Sequence, residues 1–191
     1  MIRIVGGAAR GRRLQVPPNG TRPTSERARA ALFDRLDTLL DLAGSRVLDL
    51  FAGSGAIGLE ALSRRAEYAC FVENDRRGAD VLAANLSAVT AAGTGVSGRG
   101  RLLRRAVGAV LAEDNPGGPY DIVFADPPYA LADDELGRLL SQVAEPQWTA
   151  PGAVVVIERA TRGPEPPWPP RLGSLASKRY GDSTLWYGRA T

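Results

Sequence analysis

The chain has 191 residues, 44% hydrophobic and 24% charged, with 24 basic and 21 acidic side chains for a net charge of +3. This is enough apolar chain for one substantial domain, and no apolar run reaches the roughly 18 residues that a membrane span needs. There is no histidine and only one cysteine, Cys70, which excludes Ser-His-Asp triads, histidine bases, the usual histidine-ligated metal sites and a disulfide framework, and fits a reducing cytoplasm.

The first 36 residues hold eight arginines against Glu26 and Asp34, a net +6 in a chain that totals +3. A basic arm before a near-neutral body is an electrostatic footprint for phosphate, which makes Arg3, Arg10, Arg12, Arg13, Arg22 and Arg27 candidate nucleic-acid contacts. Lys178 is the only lysine, so part of the arginine bias is general composition. The arm opens with strand-like residues 2–5 and 13–16 around a glycine- and arginine-rich turn, predicting a hairpin. A helix follows, capped by Thr24 or Ser25, with Ala28, Ala31, Leu32, Leu36, Leu39 and Leu40 at helical spacing. Gly44-Ser45 closes this unit, so the predicted division is 1–44, a recognition unit, and 45–191, the main domain. Deleting residues 1–20 is then expected to leave the main domain's pocket untouched.

From Arg46 strands and helices alternate, which predicts a parallel sheet. The strands are expected at 47–50, 68–72, 101–105, 120–125 and 153–157, with helices after Ala56, at 77–91 and at 133–143, and a glycine-rich loop at 93–100. Beyond a proline-rich connection, 163–170, two strand-like runs around Gly181-Asp182 predict a final antiparallel hairpin.

Val47-Leu48-Asp49-Leu50-Phe51-Ala52-Gly53-Ser54-Gly55-Ala56-Ile57-Gly58 reads as strand, glycine loop and helix. Gly53 and Gly55 permit close backbone approach and Gly58 close packing of helix on strand, while Glu73, 20 residues past Gly53 at the next strand's end, is placed to grip ribose hydroxyls. Asp49 either caps the loop or faces the ammonium of an amino-acid-bearing ligand. Asp126-Pro127-Pro128-Tyr129 ends another strand in a rigid turn, since two prolines cannot continue a ladder. A planar base bearing an amine suits it: Asp126 and the Pro127 carbonyl can accept the amino hydrogens while Tyr129 stacks on the ring.

Together these motifs resemble the class I S-adenosylmethionine-dependent amino-methyltransferases. With Arg3-Ile4-Val5-Gly6-Gly7, Arg10-Gly11-Arg12 and Thr21-Arg22-Pro23-Thr24-Ser25-Glu26-Arg27 the chain is similar, over nearly its whole length, to the RsmD family, which methylates the exocyclic N2 of one guanosine in bacterial 16S ribosomal RNA. The resemblance implies a Rossmann-like fold with a mostly parallel seven-stranded sheet and a terminal antiparallel hairpin, S-adenosylmethionine as donor, S-adenosylhomocysteine as product and no metal. It further implies donor contacts at Asp49, Phe51, Ala52, Gly53, Ser54, Gly55, Glu73, Asn74, Ala106 and Val107, catalysis by Asp126, Pro127, Pro128 and Tyr129, and 16S rRNA in the small ribosomal subunit as partner of a cytoplasmic, non-membrane monomer. One departure concerns the third strand: similar enzymes carry an acid after it near the donor's adenine, where this chain has Ala106 and Val107.

Three other readings compete. Adenine-N6 methylation of DNA or RNA would use the same Asp-Pro-Pro-Tyr chemistry. A nicotinamide-dependent oxidoreductase would use the glycine loop and Glu73 but leaves residues 126–129 unexplained. A non-catalytic ribosome-assembly factor would keep only the basic arm.

Overall fold

A computed structural model of the protein describes residues 2–17, 25–113, 115 and 117–191; Arg22 and Thr24 lie outside the described residues. Strands β1 (Ile2–Arg3) and β2 (Arg13–Leu14) pair antiparallel, so the predicted hairpin forms with shorter strands. Helix α1 (Glu26–Leu39) starts at Ser25, whose hydroxyl accepts the Ala28 N–H at 3.1 Å. The alternating body follows as β3 (Arg46–Leu50), α2 (Ala56–Ser63), β4 (Tyr68–Val72), α3 (Arg76–Thr90), β5 (Arg99–Leu103), α4 (Val107–Leu111), β6 (Tyr120–Ala125), α5 (Asp133–Val143) and β7 (Thr149–Ala160), then β8 (Leu172–Tyr180) and β9 (Ser183–Ala190).

Seven strands form one sheet in the order β5-β4-β3-β6-β7-β9-β8. All pairings are parallel except those of β9 with β7 and β8, which form the terminal antiparallel part. β5 begins two residues earlier than expected because Arg99 pairs with Tyr68, and β7 extends past the expected 153–157 because β9 supplies partners from Val154 to Ala160. The one-turn helix α4 was not predicted; five residues are too few to show a helical period.

The pleat divides each strand between two cores. On one face Ile122, Phe124, Val154 and Val156 pack with α1, α2 and α3; on the other Val123, Ala125, Val155 and Ile157 pack with α4 and α5. Cys70 is buried in the second core. The amino-terminal unit does not sit apart, since Ile4, Ala9 and Leu14 of the hairpin and Leu32, Phe33 and Leu36 of α1 belong to the first core. Residue 44 therefore bounds no separate core.

Glu60 of α2 makes the attachment. Fully buried, its carboxylate accepts the Val5 N–H at 2.8 Å and the Gly6 N–H at 2.7 Å, and it pairs with Arg64 at 2.9 Å and with Arg29 of α1 at 3.5 Å. Arg29 in turn donates to the Arg3 carbonyl. Burial lowers the Arg29 pKa and the Glu60 charge opposes that shift, so neither ion is comfortable alone. One of the eight arginines of the basic arm is thus a core residue.

Removing one partner of a buried charge cluster costs about 3–5 kcal/mol. Glu60→Ala is expected to lower stability by that amount in urea unfolding; a loss under about 1 kcal/mol would make the cluster incidental.

Candidate active site at the carboxyl edge of the sheet

The chain leaves β3 toward β4 on one side and leaves β6 toward β7 on the other, so the strand order reverses between two paired neighbours, Leu50 and Ala125. In an open parallel sheet that reversal leaves a crevice beyond the carboxyl ends, where connections diverge and neither covers the gap. Asp49, the glycine loop, Glu73 and Asp126 all lie at this edge.

Phe51, just past β3, has φ 60°, an unusual conformation for a bulky residue that costs roughly 1–2 kcal/mol. Strain of this kind is retained where the surroundings impose it, here by the bonds around the loop. The Ala52 N–H donates to the Val72 carbonyl at 3.0 Å and the Gly55 N–H to the Ala52 carbonyl at 2.7 Å. A side chain at Gly53 would meet nothing within 4 Å, so open space faces the loop there. At Gly58 a Cβ would come within 2.3 Å of the Phe71 ring, which shows the close helix-on-strand packing expected of that glycine.

Asp49 does cap the loop. It is 2% exposed, and its Oδ2 accepts the Gly58 N–H at 2.9 Å, serving α2 from the strand because the helix's own N-cap, Gly55, has no side chain. Burial chiefly pushes its carboxyl up to about 8; Asp126 and Glu73 add to that rise while the Gly58 bond opposes it. An acid in this state is suited to a cationic group, which would restore its charge. Glu73 is no loose strand-end acid either: Oε2 accepts the Gly53 N–H and Oε1 the Asp75 N–H, each at 2.7 Å. Each oxygen retains a lone pair for a hydroxyl donor. Asn74 is exposed beside it.

Ala106 stands at the N-cap of α4, where it gives no side-chain bond, and Val107 is buried below it. The missing acid is therefore also a missing cap, leaving only backbone groups at that rim. Arg104 and Arg105 are engaged elsewhere, with Asp80 and Glu113.

Asp126 leaves β6 half-buried, Pro127 is buried, and Pro128 and Tyr129 are exposed. The turn closes with the Leu131 N–H donating to the Pro128 carbonyl at 2.9 Å, and Arg159 holds the Leu131 carbonyl at 3.3 Å and Asp133 at 3.0 Å. Tyr129 is 64% exposed, its hydroxyl 3.5 Å from Ser183 of β9, so most of the ring is available to another surface. Burial, then the charge of Glu158, raises the Asp126 carboxyl to about 7.

Three residues at or behind this site were missed in the sequence. Glu158, 5% exposed, completes the row of acids from within β7; its signal is an acid near the carboxyl end of a parallel strand, hidden because the expected 153–157 stops three residues before β7 ends at Ala160. Glu60 looked like an ordinary helix acid. Asn85 of α3, 3% exposed, exchanges bonds with the Gln15 backbone, accepting its N–H at 2.9 Å and donating to its carbonyl at 3.0 Å, and also donates to the Ser54 carbonyl at 2.9 Å. One amide thus ties the hairpin to the glycine loop. The expectation that residues 1–20 could be deleted without touching the pocket conflicts with these contacts. Of the candidate nucleic-acid contacts, Arg3, Arg10, Arg12, Arg13 and Arg27 are exposed, Arg3 pairing with Glu26 at 3.2 Å; Arg22 is outside the described residues.

Comparison with known proteins adds sequence and fold relationships. Residues 2–189 match the family profile described as Conserved hypothetical protein 95. The chain is 39% identical over 158 residues to Ribosomal RNA small subunit methyltransferase D of Escherichia coli K12, covering 82% of this chain and 74% of that protein. The solved structure of the Escherichia coli protein yhhF superposes with TM-score 0.82 at 34% identity, covering 99% of this chain and 97% of that one. Magnesium protoporphyrin IX methyltransferase of Synechocystis, solved with bound SAM, shares the fold at TM-score 0.65 and 12% identity, over 86% of this chain and 79% of that one.

Asp49 gives the site a pH signature. Its folded pKa, about 8, lies above the unfolded value near 3.9, so the folded state keeps a proton that the unfolded chain releases, and the associated stability is present below about 4 and lost as pH rises through about 8. Asp49→Asn, which keeps an acceptor for Gly58, is expected to gain stability relative to wild type across that window in denaturant titrations. A difference independent of pH would contradict the raised pKa.

Proposed function

The chain belongs to the Conserved hypothetical protein 95 family, the RsmD family, and from this we propose that it transfers a methyl group from S-adenosylmethionine to the exocyclic N2 of a guanosine in 16S rRNA of the small ribosomal subunit. The observation that carries the reading is the placing of Asp126-Pro127-Pro128-Tyr129 beside the glycine loop, across the one reversal of strand order. The oxidoreductase reading leaves that juxtaposition idle. The assembly-factor reading leaves the raised carboxyls of Asp49 and Asp126 without a role.

The residues present fit the donor. Asp49 would receive its ammonium, Glu73 its ribose hydroxyls, with Asn74 beside it, and Phe51, Ala52, Gly53, Ser54 and Gly55 would line its path, open space at Gly53 admitting it. The backbone at Ala106 and Val107 would meet the adenine edge in place of an acid. The donor supplies an already activated sulfonium methyl, so no metal is required and the protein's task is positioning. Guanine N2 is a poor nucleophile because its lone pair is delocalised into the ring. Bonds from its two hydrogens to Asp126 and the Pro127 carbonyl favour a pyramidal nitrogen whose lone pair points at the methyl. Tyr129 would stack on the extruded base for roughly 1–3 kcal/mol, comparable with the cost of unstacking it, and Pro128 keeps the turn rigid. Arg3, Arg10, Arg12, Arg13, Arg22 and Arg27 would hold phosphates, and the protein would act as a monomer in the cytoplasm.

Two outcomes test these roles. Asp126→Ala is expected to lose at least 100-fold in single-turnover methyl transfer, a scale set by loss of a positioned acid-base group, while S-adenosylhomocysteine affinity in calorimetry stays within about threefold. Near-normal transfer would remove Asp126 from the chemistry. Because Asn85 and Glu60 fasten the hairpin, recognition is tested by charge alone: Arg10→Gln, Arg12→Gln and Arg13→Gln together should flatten the logarithmic salt dependence of RNA binding by roughly 0.7 per lost phosphate contact, about 2 in all. An unchanged slope would make these arginines a solvated face.

A further inference from the structure

Glu158 has no part in the reaction as described above, yet it occupies a place that is expensive to fill with an acid. Ala125 pairs with Ile157 in parallel register, so Asp126 and Glu158 follow at the same level on neighbouring strands, about 5 Å apart at the backbone. The pleat puts Glu158 on the face of Val154 and Val156, and Asp126 continues the face of Ile122 and Phe124; these four belong to one core. Burial first, and then the charge of Glu158 beside it, disfavour the charged form of Asp126.

Resting on the methyltransferase reading, we propose that Glu158 is a positioning residue that acts through Asp126, keeping that carboxylate an effective general base for the proton released by the methylated amine. The bond from the amine nitrogen to the methyl carbon forms as the carbon–sulfur bond breaks, and its electron pair goes to sulfur. The nitrogen then carries a positive charge and an extra proton, which passes to an Asp126 oxygen and leaves a neutral N-methyl amine and neutral S-adenosylhomocysteine. The cationic nitrogen is a strong acid that any carboxylate can deprotonate, but a base whose pKa lies near the working pH gives the most help as the bond to the methyl forms, and Asp126 stands at about 7. Among the described residues the groups around Asp126 agree with this: β7 supplies Glu158, β3 supplies Asp49, and the turn supplies Tyr129 with Ser183 of β9 behind it. The nearby cation of β7, Arg159, holds the Leu131 carbonyl and Asp133 instead.

The test uses the full chain and two variants, Glu158→Gln, which removes the charge, and Glu158→Asp, which keeps it. The Asp126 carboxyl is titrated by carbon-13 NMR on protein without RNA or donor, and single-turnover transfer to undermethylated small subunits is measured across pH. In wild type the NMR midpoint near 7 and the acid limb of the rate profile should coincide. Glu158→Gln should move both downward together and lower the high-pH plateau by roughly three- to tenfold, the response of a weaker base; Glu158→Asp should restore both toward wild type. A midpoint that Glu158→Gln leaves in place overturns the pairing. A midpoint that moves while the rate profile does not overturns its use in proton transfer. Wild-type protein that transfers no methyl group overturns the methyltransferase reading itself, and the NMR midpoints still show whether the two carboxyls are coupled.

Discussion

Everything at the site follows from a parallel sheet that reverses its strand order once, between β3 and β6. The reversal sends successive connections away from each other and leaves a gap that no helix can fill. Near that gap four strands carry acids toward their carboxyl ends: Asp49 within β3, Glu73 just past β4, Asp126 just past β6 and Glu158 within β7. Burial strips Asp49 and Asp126 of water, and the charges of the neighbouring acids add to that, so both carboxyls are raised. Backbone N–H groups of the glycine loop and the start of α2 make the crowding tolerable, two bonding Glu73 and Asp49. The same crowding would favour a positively charged group in the crevice, which relieves it.

A second constraint joins the basic hairpin to the glycine loop. The arginine-bearing hairpin is held by the buried carboxylate of Glu60 and by the amide of Asn85, and the latter also holds the glycine loop at Ser54. A hairpin attached in this way presents its exposed arginines in a fixed relation to the pocket. The attachment consumes charge as well: Arg29 is spent inside the core, so the arm's surface is less basic than its composition suggests.

Much of this was legible in the sequence because the local signals agreed. The strand, the glycine loop and the helix after Ala56 were readable from residue types, and so was the close packing at Gly58, since only glycine could sit against the Phe71 ring. Asp126 to Tyr129 announced a rigid turn through its prolines. The misses have a common cause: they depend on partners distant in sequence. Nothing near Glu60 foretells that Val5 and Gly6 will donate to it across more than fifty residues, and Asn85 meets Gln15 seventy residues away. Glu158 went unseen because the length of β7 is set by pairing with β9 rather than by its own residues. Asp49 left two readings open; the capping bond to Gly58 is present, and it leaves the second oxygen for another partner.

The central claim is that this crevice methylates the exocyclic amine of a guanine. The most direct measurement is transfer of tritium-labelled methyl from S-adenosylmethionine to small ribosomal subunits lacking the modification, followed by digestion and identification of the labelled nucleoside. The account predicts label in N2-methylguanosine at a single position of 16S rRNA; label in N6-methyladenosine, or none at all, would contradict it.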